Sequence, residues 1–394
     1  MEAALLSETE HDNKIGVYFH VPFCRAPRCA YCDFYSTTAD SGKMARWLEA
    51  AACECRLARE ERFGGHWKVA SVFFGGGTPS LLNPRQIKQL LDTVSSCWEL
   101  APAAEITVEC NPEDLSREWA QGCLRAGVNR LSVGVQSFDP DYLAAIGRCR
   151  GPVKADEALR RAGEAGFRRL AADLILGGPG SSERLVLAGV ERALELGVDH
   201  LSLYGYHLDP PAAGFGRSGF SPVDDDAWGG QYLAVCDLLH GQGWRHYEIS
   251  NWAVADAALC AHNLFYWHRR PYLGLGPSAH SFGPGEYRTA NKADLDAWLN
   301  AAEGSDFGSV REAEVLDETT VLFEKVMLGL GLDTGLELEL LERAVGHGVQ
   351  EKIELLVNKH HVQIQDGRLS LTDTGFLLYD TVACELLPEP GHAG

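Results

Sequence analysis

Six short apolar runs, each closed by a glycine-rich or polar turn and followed by a helical pattern, restrict the folds open to this chain. The runs are Gly16 to His20, Val69 to Phe74, Ile106 to Glu109, Arg130 to Gly134, Leu170 to Leu176 and His200 to Tyr204. Helical spacing fills the gaps between them: Gly42 to Arg62, Pro84 to Cys97, Leu115 to Ala126, Tyr142 to Ile146, Val153 to Ala165 and Glu183 to Leu196. Buried strands alternating with amphipathic helices predict a parallel sheet with helices outside it. Six units are too few to close an eight-fold barrel, so the expected fold is α/β, an open, partial (β/α)6 TIM-like barrel. In such sheets function gathers at the loops after the carboxyl ends of the strands. The unusual residues fall there: three clustered cysteines, Gly75 to Ser80, Glu109 with Asn111, Gln136, and Gly177 to Gly180.

With 394 residues the chain has room for one large and one smaller domain. Past Asp209 the pattern loosens, and Pro210 to Gly216 reads as a loop. A helix over Asp224 to Gln242 and an added strand over Trp244 to Ile249 precede an aromatic, glycine-rich stretch, Asn251 to Gly285, without a period. Helices at Glu318–Leu330, Leu336–Val345 and Gln350–Asn358, strands at Val362–Gln365 and Arg368–Leu371, and a helix from Asp373 read as a small α+β, winged-helix-like module. Its mixed acidic composition favours a structural role. The expected division is a leader over 1–13, the barrel over 14–245, a linker region over 246–310 and the C-terminal domain over 311–394.

No apolar run approaches membrane-spanning length, and the acidic N-terminus lacks the basic and apolar regions of a secretory signal. Most of the twelve cysteines outside the opening cluster stand singly, which reads as a reducing cytoplasm and not a disulfide framework. A formal charge of −20 argues against nucleic acid as a partner.

Cys24, Cys29 and Cys32 lie directly after the first strand, flanked by Phe23, Tyr31 and Phe34. Three thiolates are one short of a closed metal site. They fit a [4Fe–4S] cluster whose fourth iron is open to a small molecule, a zinc knuckle completed by a distant His or Cys, or simply buried thiols. Gly75-Gly-Gly-Thr-Pro is either a tight strand-to-helix turn or a backbone edge for a zwitterion, with Thr78 adding a hydroxyl. Glu109 and Asp173 sit at strand ends, where a carboxylate needs a partner: a ligand's hydroxyls or ammonium, or Arg148 or a backbone cap. Gln136 has the same two readings.

His20-Val-Pro-Phe-Cys24, Gly-Gly-Gly-Thr-Pro-Ser80, Glu109-Cys-Asn-Pro, Gly134-Val-Gln-Ser-Phe and Tyr247-Glu-Ile-Ser-Asn together resemble the radical S-adenosylmethionine (SAM) proteins related to oxygen-independent coproporphyrinogen III oxidase, and among them the HemW branch of haem chaperones. The resemblance runs from Lys14 to Leu387. It implies that Cys24, Cys29 and Cys32 hold a [4Fe–4S] cluster, that Tyr18, Tyr31, Gly76, Gly77, Thr78, Glu109, Gln136, Arg148 and Asp173 line a SAM pocket, and that SAM chelates the open iron.

The oxidase branch carries a further cysteine two residues past the third ligand, where this chain has Phe34. The haem-chaperone branch carries a His-Asn-x-x-Tyr-Trp motif, here His262 to Trp267, which implies haem contact at His262. Three departures stand out. Four residues, Arg25 to Arg28, separate the first two cysteines where the family has three; the extra one either bulges outward at a turn that Pro27 favours or misplaces Cys24 and weakens the cluster. Gly147-Arg-Cys-Arg150 keeps the family's arginine and lacks its histidine, and Leu176-Gly-Gly-Pro-Gly replaces Tyr-Gly-Leu-Pro-Gly. The reading is a haem chaperone that holds a cluster and SAM and passes haem to acceptors, membrane respiratory enzymes among them. A dimer is compatible with it. The alternative is a SAM-dependent coproporphyrinogen III oxidase; whether the chain is an enzyme stays open on the sequence.

Overall fold

The computed structural model describes residues 13–25, 29, 31–148, 154–206, 222–346 and 348–387. The loop read at Pro210 to Gly216, the turn at Pro27, most of the leader, and Cys149 and Arg150 lie outside the described residues.

Strand β1 (Lys14–Val21) sets the pattern. Ile15, Val17, Phe19 and Val21 are fully buried in the main core, while Gly16, Tyr18 and His20 point to the opposite face. Two short strands follow, β2 (Phe23–Cys24) and β3 (Thr37–Thr38), and pair in parallel, so the cysteine loop is fastened at both ends. Helix α1 (Ser41–Glu61) starts where the Asp40 side chain accepts from the Lys43 N–H, and it buries Trp47, Ala51, Cys55 and Ala58. Then come β4 (Lys68–Gly76), α2 (Pro84–Cys97), β5 (Glu99–Cys110), α3 (Arg117–Ala126), β6 (Arg130–Gln136), α4 (Pro140–Ala145), α5 (Ala155–Ala165), β7 (Arg169–Leu176), α6 (Glu183–Glu195) and β8 (His200–Gly205). A capping box between Asn83 and Gln86 starts α2. Strands β1, β4, β5, β6, β7 and β8 are neighbours in that order, and every pair is parallel. The six-unit parallel arrangement is the one expected. β5 starts seven residues earlier than its apolar signal, because Glu99 to Glu105 alternates too little to read as a strand.

The stretch without a period is where sequence and structure differ most. After α7 (Asp225–Gly241) come β9 (Arg245–Glu248), β10 (Asn251–Ala253), α8 (Ala261–Trp267), β11 (Tyr272–Leu275), β12 (His280–Gly283), β13 (Tyr287–Asn291), α9 (Leu295–Glu303) and β14 (Arg311–Val315). These strands extend the barrel sheet to twelve, in the order β14-β13-β12-β11-β1-β4-β5-β6-β7-β8-β10-β9. Thus 246–310, set apart above as a linker region, carries β10 to β13 of the same sheet. Strands of three to five residues are too short to show an alternating period.

The C-terminal module comprises α10 (Glu318–Leu330), β15 (Leu336–Glu337), α11 (Leu338–Val345), α12 (Val349–Asn358), β16 (Val362–Gln365), β17 (Arg368–Leu371), α13 (Asp373–Leu377) and α14 (Tyr379–Leu386). Its sheet is ordered β15-β17-β16, so helices lead into a tight antiparallel pair as the sequence indicates. No helix among the described residues is long and apolar enough to cross a membrane.

Two buried carboxylates tie the added strands to the barrel. Glu54 on α1 accepts from the Gly276 N–H (2.9 Å), Asn291 Nδ2 (2.8 Å), Trp298 Nε1 (3.1 Å) and Arg311 Nη2 (2.6 Å). Glu105 on β5 accepts from Arg169 Nη2 (2.6 Å) and from the Ala261 and His262 N–H groups (3.0 and 3.1 Å) at the start of α8. Burial pushes the Glu105 carboxyl up, but the Arg130 and Arg169 charges and the two N–H donors bring it below the usual carboxylate range. Arg311 is itself nearly buried. Replacing Glu54 with Ala therefore leaves an unpaired guanidinium and three unmet donors inside the protein. The expected loss is about 3–5 kcal/mol, read as a fall in the urea midpoint; an unchanged midpoint would show that Glu54 is not an anchor.

Candidate functional site

The cysteine loop opens off the carboxyl end of β1. Pairing of β2 with β3 places Cys24 opposite Thr38, and the Ala39 N–H donates to the Cys24 carbonyl (2.9 Å). The Cys32 N–H donates to the Cys29 carbonyl (3.3 Å), turning the chain between the second and third thiols. All three cysteines are half-buried free thiols. A chain of polar contacts joins two of them. Arg148 donates to Cys29 Sγ (3.8 Å), to the Tyr31 hydroxyl (2.9 Å), to Asn111 Oδ1 (2.7 Å) and to the Gly134 carbonyl (2.9 Å). Asn111 Nδ2 then donates to Thr78 Oγ1 (3.3 Å), whose hydroxyl donates to Cys24 Sγ (3.4 Å). The guanidinium and the hydroxyl thus direct donors at two of the three sulfurs. The three loop sulfurs are not all within 4.8 Å of one another. Ligands of one zinc ion must converge on a point, whereas three thiolates bound to three different irons need not.

Beneath the loop, the interior face of the barrel carries the acidic and aromatic set. Glu109 accepts from the Gly76 N–H (3.3 Å), and burial together with the nearby Asp173 charge pushes its pKa up to about 8. Burial raises Asp173 as well, against hydrogen bonds from Ser202 and Ser132 that lower it. Tyr18 bonds to His20 Nδ1 (3.1 Å), and His20 Nε2 donates to the Tyr35 carbonyl (2.8 Å), which fixes the tautomer so that the Tyr18 hydroxyl is the donor. Gln136 closes β6 at a register shift and holds φ at 63°, a left-handed backbone that a non-glycine residue adopts at a cost and that recurs at binding sites.

The glycine run is demanded by packing as much as by any ligand. Gly76 has φ 105°, and a Cβ there would stand 2.7 Å from the His20 ring. A Cβ on Gly77 would meet the Phe23 carbonyl at 2.7 Å. The loop after β4 thus presses against the start of the cysteine loop and draws Thr78 to Cys24.

Tyr18, Tyr31, Gly76, Gly77, Thr78, Glu109, Gln136, Arg148 and Asp173 are therefore gathered with the three cysteines at the carboxyl ends of the strands and on the face below. His262 is not among them. It projects from α8 into the opposite end of the barrel, 1% exposed, with Nδ1 bonded to Ser71 Oγ (2.8 Å) and Nε2 to the Tyr266 hydroxyl (2.8 Å). Its ring stacks on Phe73 (5.0 Å) and under Tyr18 (6.2 Å), and burial holds its pKa down at about 4. Both ring nitrogens of His262 are thus bonded inside the core. On the far side of Tyr266 lies a cavity of about 730 Å³, with Tyr272, His280, Phe282 and Met327 in its walls.

Three further contributors shape the site, and of these only Asp114 has no motif to mark it. Asp114 accepts from Arg25 (2.6 Å) and from Ser80 Oγ (2.8 Å), fastening the cysteine loop to the β5 loop. Asn111 links Arg148 to Thr78. The replaced loop after β7 has its N–H groups taken by the protein, Gly177 by Gln231 Oε1 (3.2 Å) and Gly178 by the Tyr142 hydroxyl (2.9 Å).

The residues present suit a cluster with SAM: three half-buried thiols, two of them with donors aimed at the sulfur, and two carboxyl groups of raised pKa that hydroxyl or ammonium donors would satisfy. Comparison with known proteins agrees. The radical SAM superfamily model matches residues 18–192, and such a domain implies a [4Fe–4S] cluster and SAM. The chain is 36% identical over 378 residues to the Heme chaperone HemW of Mycobacterium tuberculosis (strain ATCC 25618 / H37Rv), covering 94% of each chain. It is 30% identical over 384 residues to that of Bacillus subtilis (strain 168), covering 95% of this chain and 99% of the other. Coproporphyrinogen III oxidase (HemN) from Escherichia coli shares the fold, with a TM-score of 0.79 over 95% of this chain and 90% of the other at 22% identity. On these grounds the chain belongs to the HemW family of radical SAM proteins.

Proposed function

We propose that this chain is a cytoplasmic haem chaperone: it binds haem, holds SAM on a [4Fe–4S] cluster at Cys24, Cys29 and Cys32, and hands haem to acceptor proteins, membrane respiratory enzymes among them. The observation that carries this reading is kinship with proteins named haem chaperones along nearly the full length, barrel and C-terminal module together. Phe34 supports it, since it stands more than half exposed where the oxidase branch has a cysteine. The eleven cysteines among the described residues are free thiols, which supports a reducing compartment.

When bound and reduced, the cluster would supply an electron to the SAM sulfonium. The chain's own residues bind and orient: Thr78 and Arg148 steady the thiolates, the Gly76 edge and Glu109 face the nucleotide, and Asp173 offers an acceptor deeper in the barrel. For haem, the cavity beyond Tyr266 has the size and aromatic walls a porphyrin needs, and His280 and Met327 supply ligand types that iron accepts. His262, beneath Tyr18, serves instead to hold α8 in the barrel floor.

The deciding experiment uses anaerobic protein reconstituted with iron and sulfide. A saturable haem spectrum and transfer of that haem to an apo-acceptor are expected. Conversion of coproporphyrinogen III to protoporphyrinogen would overturn the assignment in favour of an oxidase. Replacing His262 with Ala is expected to lower stability by about 1–3 kcal/mol, leaving Ser71 and Tyr266 without their partner, and to leave haem affinity unchanged. A lost haem spectrum in a folded variant would return His262 to the ligand role.

Glu109 supplies a pH test. Its folded pKa lies above the ordinary carboxylate value, so its share of stability is full at acid pH and is lost as pH rises through about 8. A ligand bringing donors favours the charged form. SAM affinity should therefore rise with pH up to about 8, and Glu109→Gln should flatten the profile. A wild-type profile that is already flat would exclude Glu109 from the nucleotide site.

A further inference from the structure

Well away from the cysteine loop, four residues from three elements converge where the C-terminal module meets the barrel. Cys236 and His240 lie one turn apart on α7, His246 lies on β9, and Asp373 opens α13. Among the described residues, Cys236 Sγ, a His246 ring nitrogen and an Asp373 carboxylate oxygen form the one set of three metal-type donors all within 4.8 Å of one another. His240 stands at the edge of this set, its Nδ1 3.4 Å from Asp373 Oδ2. α7 begins beside the loop after β7, where the Val223 N–H donates to the Gly177 carbonyl, and Cys236 lies about 18 Å further along the helix axis. The group therefore sits toward the opposite end of the barrel from the cysteine loop.

The chemistry of His246 suits a cation. Its Nε2 faces the Ile249 carbonyl (3.3 Å). The Tyr232 hydroxyl backs the same nitrogen at 3.3 Å. Nδ1 faces Asp373 Oδ1, 3.3 Å away, a separation that a shared proton or a bound cation satisfies. Ring orientation is fixed by stacking on Trp252 (4.0 Å, 9°) and by Phe376 (4.4 Å). A ring held by one nitrogen on a carbonyl with the other turned to acidic donors is the usual second-shell arrangement of a metal-bound histidine. A nucleophilic Cys–His–Asp reading fails on access, because Cys236 is 1% exposed and burial beside Asp373 pushes its thiol up.

We propose that Cys236, His246 and Asp373 form a site for a divalent ion of the zinc class that fastens the C-terminal module to the barrel, with half-exposed His240 closing in as the fourth ligand when the ion binds. One sulfur, two imidazole nitrogens and one carboxylate oxygen are the donor mixture such an ion takes. Bond lengths of about 2.0–2.3 Å put tetrahedral ligand atoms roughly 3.3–3.8 Å apart; His246 Nδ1 stands 3.3 Å from Asp373 Oδ1, within that range, while His240 Nδ1 faces the other oxygen, Oδ2, at 3.4 Å. On binding, the Cys236 thiol releases its proton to solvent and the thiolate bonds the metal; no electron is transferred. Half-exposed His240 leaves a side open for entry.

The test uses the full chain with Cys24, Cys29 and Cys32 all changed to Ala, so that zinc cannot lodge in the cluster loop, alongside wild type carrying its cluster. One equivalent of zinc per chain is expected in the first, and one beyond the cluster irons in the second. Cobalt in place of zinc should show sulfur-to-metal charge transfer, lost in Cys236→Ser. His240→Ala, at an exposed position that does not threaten the fold, should weaken zinc by more than about tenfold. Zinc retained equally by Cys236→Ser and His240→Ala, cobalt without a sulfur band, or no stoichiometric metal in either preparation would overturn the site.

Discussion

One buried carboxylate decides what fills the open end of this half-barrel. Six parallel strands cannot close around a core of their own side chains, and the space they leave must be occupied without stranding backbone groups. Glu105 settles this by accepting two N–H groups from the first turn of α8 while pairing with Arg169. Arg130, also buried, donates to the Ala258 carbonyl just before that helix. α8 is held as a plug, and its His262 and Tyr266 complete a floor of rings under Tyr18 and Phe73. The acids Glu109 and Asp173 lie above this floor, partly buried.

That division of labour explains why the strand-end residues were legible in the sequence and the floor was not. The cysteine triplet, the glycine run and the acids at strand ends violate local expectation: sulfur, flexibility or charge where apolar packing is the rule. His262 violates expectation too, but a buried polar residue at the floor and one at a ligand site look alike until their partners are known. Ser71 and Tyr266 are those partners, and the first is 191 residues away in the chain. Glu54 and Glu105 lie in helical and strand runs with no motif, so nothing local marks them as anchors. The Cys236 group is drawn from α7, β9 and α13, elements with no common spacing.

The strands beyond β8 illustrate a different limit. β10 to β13 are short and bounded by turns, and several of their residues are buried on both faces, so neither a two-residue nor a 3.6-residue period survives. Their place in the sheet is set from outside, by Glu54 reaching Gly276 and Asn291 and by parallel pairing of β11 with β1. Order here comes from tertiary partners and not from local preference.

The parallel pairing of Phe23–Cys24 with Thr37–Thr38 bears on the extra residue that separates this chain's first two cysteines from the family spacing. Cys24 belongs to the clamp itself, and Arg25 is moored to Asp114. Cys24 and Arg25 are therefore held to the barrel by contacts that do not depend on how many residues follow before Cys29. Variation in loop length can accumulate there over evolution without shifting the first thiol relative to the barrel rim.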